Sequence, residues 1–460
     1  MPRADFLSFT RQGASWLDFE WLSQVCFAVL HAVGGMTALW LLKIGLLLAS
    51  WRVVSSALRH LRVSAVQRAA GLVVWAGIIL PHSDVRPELF SLLMASLTAA
   101  WLERRRLGGA PLGAGGLAWI FSLFAVWSNL HAGLPVGLGL IAVYASAAAA
   151  SGRWKESADF SKAAVAAAAG GLLNFGGAGI YAVAWRHWRE GEALSRHIAE
   201  WRPMTAENPL HWPFWAALAL LGLALLAAAL KARGARRLPW APVLAAAFSG
   251  AAALSHARLS VYFAPLSVLA LGSLACEGLL PEARALSRSW IAAFAAAALY
   301  LAWAMPHLSW DRIYDERFIP RRAAEFLSQQ RDVVEPLRVY NQWQWGGYLA
   351  WRLRPWYKVF EDGRYIFHPQ LEESARAMAS AQAWGEFLKE RGLDAALLPN
   401  LGTLFETRSG GKTVPRPWHE SYMPAARWAL VYRDEKALFF VSRSAAPQGW
   451  IKARELPPAP

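Results

Sequence analysis

Ten long apolar segments are the feature that most restricts what this chain can fold into. A helix needs about 20 mostly apolar residues to cross a bilayer, and somewhat fewer where the membrane is thin. The segments lie at residues 36–51, 66–82, 87–103, 116–130, 132–150, 159–184, 212–231, 240–256, 258–277 and 289–306. We therefore expect an α-helical polytopic membrane bundle of about ten transmembrane helices, although the pair that flanks Asn129 also fits one re-entrant hairpin.

The composition agrees with a membrane protein. Of 460 residues, 56% are hydrophobic and only 17% are charged, which is too apolar for an ordinary soluble protein. The formal net charge of +15 could indicate a nucleic-acid partner. The basic residues fall mainly between the apolar segments, however, where they orient helices in a bilayer. We therefore expect membrane lipids as partners and no nucleic acid. Cys26 and Cys276 both sit in apolar surroundings, which excludes a disulfide framework.

The arginine and lysine residues predict the orientation of the bundle. If ten spans alternate, five basic connections fall on the same side, and that side is then cytoplasmic. These connections carry Arg52 to Arg68, Arg104 to Arg106, Arg153 with Lys155, Lys231 to Arg237, and Arg284 with Arg288. The loop Trp185 to His211 contradicts the pattern, because its four arginines would lie outside. The overall distribution predicts a multi-pass protein of the inner or plasma membrane with an extracytoplasmic C-terminal domain.

Four regions follow from this pattern. Residues 1–35 form an external segment, in which Trp16 to Val33 has the pattern of an amphipathic helix that stops at Gly34-Gly35. Residues 36–306 form the transmembrane bundle. Residues 307–443 form an external α/β domain, because predicted strands alternate with predicted helices. Residues 444–460, rich in proline and alanine, are expected to be a disordered tail.

Within the α/β domain the pattern assigns individual elements. Helices are expected at 320–330, between 341 and 351, and over 369–391, where Gly392 ends the last one. Strands are expected at 337–340, 357–360 and 394–398, and a hairpin at 428–432 and 437–442. The tryptophan-rich stretch from Tyr340 to Arg364 suits a surface that meets a membrane or a sugar.

Ionisable side chains in and beside membrane helices are costly, so they indicate function. On the predicted external face they gather in a few turns. The residues are His82, Asp84, Arg86, Glu88, Asn129, His131, Asn174, His187, His197, Glu200, Arg202, His256 and Arg258, with Asp5, Asp18 and Glu20 from the N-terminal segment. This set suits transfer of a sugar from a lipid phosphate. A carboxylate would accept the proton of the acceptor hydroxyl, and arginine or histidine would hold the phosphate.

Each of these residues also has a simpler structural interpretation. Asp84 and Arg86 fit a local ion pair that caps a helix, and His131 fits a turn in which it satisfies backbone groups. Glu20 fits an ordinary amphipathic face, and Asp362 with Arg364 fits a structural salt bridge after a strand. The loop Arg186 to Arg202 fits binding of lipid headgroups. No spacing of histidine and aspartate matches a recognised metal pattern, so the sequence assigns no divalent metal or other cofactor.

Four stretches resemble a known group of proteins. They are PRADFLSF with SWLDFEWLSQVCFAVLHAVGG, then HSDVRPELFS, then WSNLHAG with LLNFGG, and finally YNQWQWGGYLAWRL followed by YKVFEDGR. In order and spacing they are similar to polytopic proteins grouped with the GT-C-type glycosyltransferases, near the dolichyl-phosphate-mannose and aminoarabinose transferase-like sets. Most members of this group are uncharacterised, so the resemblance implies a fold more strongly than a reaction.

The resemblance implies a bundle whose first external loop and neighbouring turns enclose a cavity. A polyprenyl-phosphate sugar would enter from the bilayer, and a glycan, lipid or protein acceptor from the extracytoplasmic side. Such proteins usually have a first membrane helix and then an acidic residue ahead of the PRADFLSF-like segment. Here the sequence shows neither, which indicates a truncated or misassigned start, or a lost catalytic acid that Asp5, Asp18 or Asp84 would replace.

We therefore expect an integral membrane glycosyltransferase that transfers a hexosyl or pentosyl group. The expected base is Asp84 or Asp5. The expected ligands of the donor phosphate are Arg86, His131, Arg202 and Arg258. The expected acceptor-binding residues are Trp343, Trp345, Asp362 and Arg364.

Two other functions stay open at this point. A non-catalytic membrane scaffold, whose external domain binds a partner or glycan, is favoured by the missing N-terminal acid. A transporter of lipid-linked precursors is the third alternative. Transporters often have matched halves with interrupted helices, and the sequence has no such internal symmetry.

Overall fold

The computed structural model describes residues 3–109, 111–231, 238–280, 319–409 and 412–457, with short helical pieces at 295–296, 299–300 and 302–303. The chain divides into two compact units. The helical unit comprises Leu17–Ile313, and the mixed unit comprises Pro2–Trp16 with Tyr314–Pro460. The N-terminal segment therefore belongs with the C-terminal part of the chain, a division that differs from the expected regions. Most of the expected span 289–306 lies outside the described residues.

The described part of the helical unit is built from α-helices. They are α1 (Trp21–His60), α2 (Ala65–Ile79), α3 (Glu88–Gly108), α4 (Ala114–Leu130), α5 (Leu134–Ala150), α6 (Trp154–Gly171), α7 (Gly179–His197), α8 (Trp212–Lys231), α9 (Trp240–Ser255) and α10 (Ser260–Cys276). Short 3₁₀ turns lie at Leu80–His82, Ala199–Trp201, Pro209–His211 and Ala257–Leu259.

Four of the described helical stretches are long and apolar enough to cross a membrane, which is consistent with membrane association. They are Trp21–His60, Ala65–His82, Pro209–Lys231 and Ala257–Cys276. Three shorter apolar helices are α4, α5 and α9. The expectation of ten spanning helices is not confirmed by these lengths.

The glycine pair Gly34-Gly35 interrupts α1 where a helix stop was expected. Gly35 has a φ of 59°, a conformation that side chains with a Cβ rarely adopt, and Gly34 is also non-helical. The helix begins at Trp21 rather than Trp16, and after the kink it continues to His60. The predicted break is present, while the predicted helix boundaries on both sides of it were wrong.

The expected span 159–184 is wrong, because two helices occupy this region. α6 ends at Gly171 and α7 begins at Gly179. Between them, the Asn174 side-chain amide donates to the carbonyls of Gly171 and Gly177, and its oxygen accepts from the Gly176 N–H. α7 in turn extends to His197, into the region that was expected to be the long loop Trp185 to His211.

Small residues allow close helix packing in the centre of the unit. A Cβ on Gly170 of α6 would lie only 2.1 Å from the Phe121 carbonyl oxygen of α4. Ala163 and Ala167 of the same helix are fully buried. The alanine-rich sequence of α6 therefore explains how α4 and α5 approach it closely.

The mixed unit contains a four-stranded sheet and a separate hairpin. The sheet has the order β1 (Val339–Asn341), β2 (Ala395–Pro399), β6 (Ala437–Ser442) and β5 (Trp428–Arg433). β1 and β2 are parallel, and the other pairs are antiparallel. The hairpin pairs β3 (Leu404–Ser409) with β4 (Lys412–Pro417), which the sequence pattern did not predict.

Side-chain alternation along the strands divides the core of the mixed unit into two layers. On β6, Phe439 and Val441 pack on one face, while Leu438 and Phe440 pack on the other. The helices of this unit are α11 (Arg321–Gln329), α12 (Arg331–Val334), α13 (Trp343–Arg352), α14 (His368–Ala377), α15 (Ala381–Glu390), α16 (Trp418–Tyr422) and α17 (Gln448–Arg454). The expected α/β class of this region is therefore present.

Three expected elements of this unit were wrong. Residues 357–360 form no regular strand, and Val359 makes only an isolated bridge to Ser8. The expected helix 369–391 is two helices, because Ser380 caps a new helix by accepting from the Ala383 N–H. The expected loose tail contains α17, whose Ile451 is buried in the core.

The N-terminal segment, residues 3–16, is bound to the mixed unit through backbone and side-chain contacts. The Val359 N–H donates to the Leu7 carbonyl, and the Phe9 N–H donates to the Val359 carbonyl. The Lys358 ammonium donates to the Phe6 carbonyl at 2.8 Å. The first two bonds pair both backbone groups of Val359, so the N-terminal segment takes the place of a strand partner at this residue.

Candidate functional site

Charged and imidazole side chains gather at one end of the helical unit. They come from the start of α1, the start of α3, the α4–α5 turn, the 3₁₀ turn Ala199–Trp201 and the start of α10. The residues are Glu20, Asp84, Arg86, Glu88, Ser91, His131, Glu200, Trp201, His256, Arg258 and Tyr262. We call this set the polar cluster.

A chain of ion pairs runs through the polar cluster. Arg86 pairs with Asp84 at 3.6 Å and also contacts Glu200. Arg258 pairs with Glu200 at 3.3 Å and with Glu88 at 3.5 Å. Burial opposes ionisation of Glu200, but the positive charges of Arg86 and Arg258 are stronger and lower its pKa. Both guanidinium groups are therefore already neutralised by carboxylates.

Trp201 positions the Arg258 side chain. The Arg258 guanidinium lies 5.0 Å from the centre of the Trp201 ring, in a cation–π geometry. His256 packs edge-on against the same ring, and one of its ring nitrogens lies 2.8 Å from the Trp201 carbonyl oxygen. The turn Ala199–Trp201 is thus fixed against the start of α10 by an aromatic contact and a hydrogen bond.

Ser91 holds the His131 ring in place. The Ser91 Oγ accepts from the Trp127 indole N–H at 2.7 Å and is hydrogen-bonded to the Tyr262 hydroxyl. His131 Nδ1 lies 2.7 Å from the same oxygen, and the donor in this hydrogen bond depends on the histidine tautomer. Burial lowers the pKa of His131 to about 3, and Arg258 and His187 contribute in the same direction. The imidazole is therefore neutral.

Glu20 lies on the other side of this imidazole. Its Oε1 is 3.5 Å from His131 Nε2, at the outer limit of a hydrogen bond. Burial raises the pKa of Glu20 to about 7; the Arg258 charge opposes this shift, and Asp18 and Glu88 add to it. A carboxyl group with a pKa near neutrality suits proton transfer at physiological pH.

Gly133 is required by the close packing around Ser91 and His131. A Cβ at this position would lie 2.4 Å from Ser91 Oγ, 2.8 Å from the Tyr262 hydroxyl and 2.9 Å from His131 Nδ1. Any side chain here would therefore displace the hydrogen bond that fixes His131.

Five of the residues predicted from the sequence lie in the helical unit. Arg86, His131 and Arg258 belong to the polar cluster, as described above. Asp84 is at its edge, with 71% of its side chain exposed. Arg202 is exposed, and its backbone carbonyl accepts from the Ala257 N–H at 2.8 Å, so it holds the turn rather than pointing a charge into the cluster.

The other predicted residues lie in the mixed unit. Arg364 forms a bidentate pair with Asp362 and lies 2.7 Å from Asp5, so all three serve one ion-pair network. The Asp5 carboxylate also accepts hydrogen bonds from the Leu7 and Ser8 N–H groups and from the Ser8 hydroxyl. This environment does not suit the expected role of Asp5 as a base.

The two predicted acceptor tryptophans have different environments. Trp345 is only 4% exposed and packs in the core of the mixed unit, so the expected contact with an acceptor does not fit its position. Trp343 is partly exposed, and its ring lies 5.7 Å from that of His368.

The sequence interpretation gave too little weight to Glu20, Glu88 and Glu200. Glu20 was assigned to an ordinary amphipathic face, and Ser91 was not singled out. A signal was available for Glu88, which stands at the start of the apolar segment 87–103, where charge is costly. Glu20 and Glu200 lie outside the ten apolar segments and carried no such signal. Among the described residues, no group of three histidine, cysteine, aspartate or glutamate side chains has the arrangement of a metal site.

Comparison with known proteins gives no relative: no family model matches the chain, and no curated protein matches it.

Proposed function

We propose that the protein is an integral membrane glycosyltransferase of the GT-C type. It transfers a hexosyl or pentosyl group from a polyprenyl-phosphate donor to an acceptor on the extracytoplasmic side of a multi-spanning bundle. The observation that carries the proposal is the Glu20 carboxyl, with a pKa of about 7, beside neutral His131 and two arginines. Its position at the end of membrane-length helices suits a lipid-linked substrate.

In the proposed reaction Glu20 is the general base. The acceptor hydroxyl oxygen attacks the anomeric carbon of the sugar, and its proton passes to Glu20. The bond between the anomeric carbon and the phosphate oxygen breaks, and polyprenyl phosphate leaves with the electron pair. His131 Nε2 lies 3.5 Å from the Glu20 carboxyl, and Ser91 fixes the ring.

In this proposal the donor phosphate replaces the Glu200 carboxylate as the partner of Arg86 and Arg258. Arg86 and Arg258 both contact Glu200, so withdrawal of this one side chain removes one of the two carboxylate partners of each arginine. A phosphate between them would receive charge-assisted hydrogen bonds from both arginines. Glu200 lies on the short 3₁₀ turn Ala199–Trp201, not within a long helix, so this exchange requires only a local movement.

The roles expected from the sequence change accordingly. Glu20 takes the role of base that was expected for Asp84 or Asp5. Arg86, His131 and Arg258 stay with the donor, while the acceptor contact expected for Trp343 stays a prediction from the sequence. Asp362 and Arg364 stabilise the mixed unit around Trp343 through their pair with Asp5.

The test compares two glutamates of the helical unit. Membranes with Glu20→Gln should lose at least about 100-fold of sugar transfer from polyprenyl phosphate, because the proton acceptor is gone. Glu207→Gln changes an exposed glutamate and should transfer at the rate of the unaltered protein. Full transfer by a folded Glu20→Gln protein would exclude this mechanism.

One observation favours a second candidate, a non-catalytic scaffold. The guanidinium groups of Arg86 and Arg258 are each paired with two carboxylates, as in a purely structural ion-pair network. For a scaffold, Glu200→Gln would only destabilise the helical unit. For the enzyme, the same change removes the carboxylate that both arginines share and leaves each with one acidic partner, Asp84 or Glu88. It should then tighten binding of polyprenyl phosphate by about tenfold, measured in detergent solution.

A further inference from the structure

A second group of basic residues lies away from the polar cluster, in a groove between α1, α3 and α4. The groove has a volume of about 690 Å³. Its lining is Ala49, Arg52, Val53 and Ser56 of α1, Leu97, Ala100, Trp101 and Arg104 of α3, and Trp119 of α4. Apart from the two arginines and the serine, every side chain in this lining is apolar or aromatic.

The two arginines of this groove lack an acidic partner among the described residues. In the described part of the chain, neither Arg52 nor Arg104 lies within 4 Å of a carboxylate, whereas Arg86, Arg106 and Arg258 all do. Arg104 donates to the Ser56 hydroxyl at 2.9 Å. Arg52 precedes Ser56 by four residues on the same helix, so both cations lie on the same side of α1. The groove therefore presents two uncompensated positive charges next to each other.

Trp101 and Trp119 line the same groove as the two arginines. The rings of Trp101 and Trp119 stack with their centres 5.7 Å apart and 18° between their planes. Trp119 is 38% exposed although it is a large aromatic residue. Tryptophan at the end of a membrane helix belongs at the level of the lipid headgroups, and arginine beside it belongs with their phosphates.

We infer that this groove binds one acidic phospholipid. The phosphate diester of its headgroup lies between Arg52 and Arg104, and an acyl chain lies along Ala49, Leu97 and the Trp101–Trp119 stack. An anionic lipid is favoured over a zwitterionic one because the groove contributes two positive charges and no negative one. This site is separate from the donor site proposed above and does not depend on it.

The experiment measures how lipids change the melting temperature of the full-length protein in detergent. Short-chain phosphatidylglycerol should raise the melting temperature more than phosphatidylcholine does, because a ligand that binds the folded state stabilises it. Arg52→Gln with Arg104→Gln should remove most of this difference. Ala49→Trp, which fills the groove and keeps both charges, should remove it as well.

The control is Arg59→Gln, an exposed arginine of α1 that does not line the groove. Arg59→Gln should keep the difference in melting temperature between the two lipids. Equal responses of the groove variants and the unaltered protein would overturn the inference. An equal loss of the lipid difference in Arg59→Gln would also overturn it, because it would indicate only general attraction of anions. An equal shift of the melting temperature with inorganic phosphate alone would overturn it too, because it would indicate a site for free phosphate.

Discussion

At the scale of single residues, Gly133 is a position in the polar cluster where the packing leaves no room for a side chain. Its missing side chain leaves room for the contact between Ser91 and His131. Gly133→Ala should lower the melting temperature in detergent, at a cost of about 1–3 kcal/mol for overpacking. Gly113 is the matched control, since it also precedes a helix and a Cβ there meets nothing within 4 Å. Equal melting temperatures for the two alanine variants would contradict the packing described here.

Glu361 makes the stability of the mixed unit dependent on pH. The residue is 1% exposed, and burial raises its pKa to about 8, although hydrogen bonds from Ser374 and the Trp343 N–H oppose the shift. The folded state then holds a proton that the unfolded state has released. Stability is therefore greatest below about pH 4.5 and falls as the pH rises toward 8, by at most about 1.4 kcal/mol per pH unit.

Glu361→Gln should remove this dependence. Hydrogen exchange of the mixed unit in the full-length protein, corrected for intrinsic rates, measures it directly. An exposed control, Glu390→Gln, should retain the dependence of the unaltered protein. If exchange in the unaltered protein slowed between pH 5 and pH 8, the assignment to Glu361 would be wrong.

At the scale of elements, buried Glu103 joins three helices. Its carboxylate accepts from the Tyr144 hydroxyl of α5 at 2.6 Å, from the Ser273 hydroxyl of α10 at 2.7 Å, and from Arg106 of its own helix α3. A buried carboxylate depends on all its hydrogen-bond donors for stability, because each missing hydrogen bond leaves part of a desolvated charge without a partner.

Tyr144→Phe should therefore destabilise the helical unit by about 1–3 kcal/mol in detergent unfolding. Tyr181→Phe, which removes a hydroxyl that donates to the neutral Ala168 carbonyl, should cost less. A cost for Tyr144→Phe no larger than that for Tyr181→Phe would show that Glu103 does not depend on this bond.

The elements also show what the sequence could predict. The break at Gly34-Gly35 was predictable because few other residues adopt a positive φ. The hairpin of β5 and β6 was predictable from two short apolar runs on either side of Arg433 to Lys436. The break between α6 and α7 was missed although two glycine pairs, Gly170-Gly171 and Gly176-Gly177, flank Asn174 in the sequence, because the apolar residues on both sides were taken as one span. The Asn174 hydrogen bonds show how the turn is held.

The polar cluster was predictable only in part for a similar reason. Hydropathy places charged residues at helix ends and so identified Arg86, His131 and Arg258 as candidates. It does not show which side chains meet. Glu20 contacts a residue more than a hundred positions later in the chain, and only the folded helices bring it to His131. Asp84 and Asp5 were chosen on sequence alone, and their exposure and ion pairing argue against the role of base.

At the scale of the whole molecule, the first residues of the chain belong to the mixed unit. Asp5 neutralises Arg364 from a distant part of the sequence. Asp5→Asn should therefore speed hydrogen exchange over residues 357–364 and leave exchange in the helical unit unchanged. Asp332→Asn, on the exposed surface of α12, is the control and should change neither. Unchanged exchange over 357–364 in Asp5→Asn would mean that the N-terminal segment does not stabilise this region.

The central claim is that Glu20 accepts the proton during sugar transfer, and the pH dependence of the transfer rate tests it most directly. In the full-length protein the rate should rise about tenfold per pH unit below pH 7 and level off above it, because only the ionised carboxylate acts as a base. In Glu20→Gln the rate should be at least about 100-fold lower and nearly independent of pH. A pH profile that stays the same after this substitution would contradict the account.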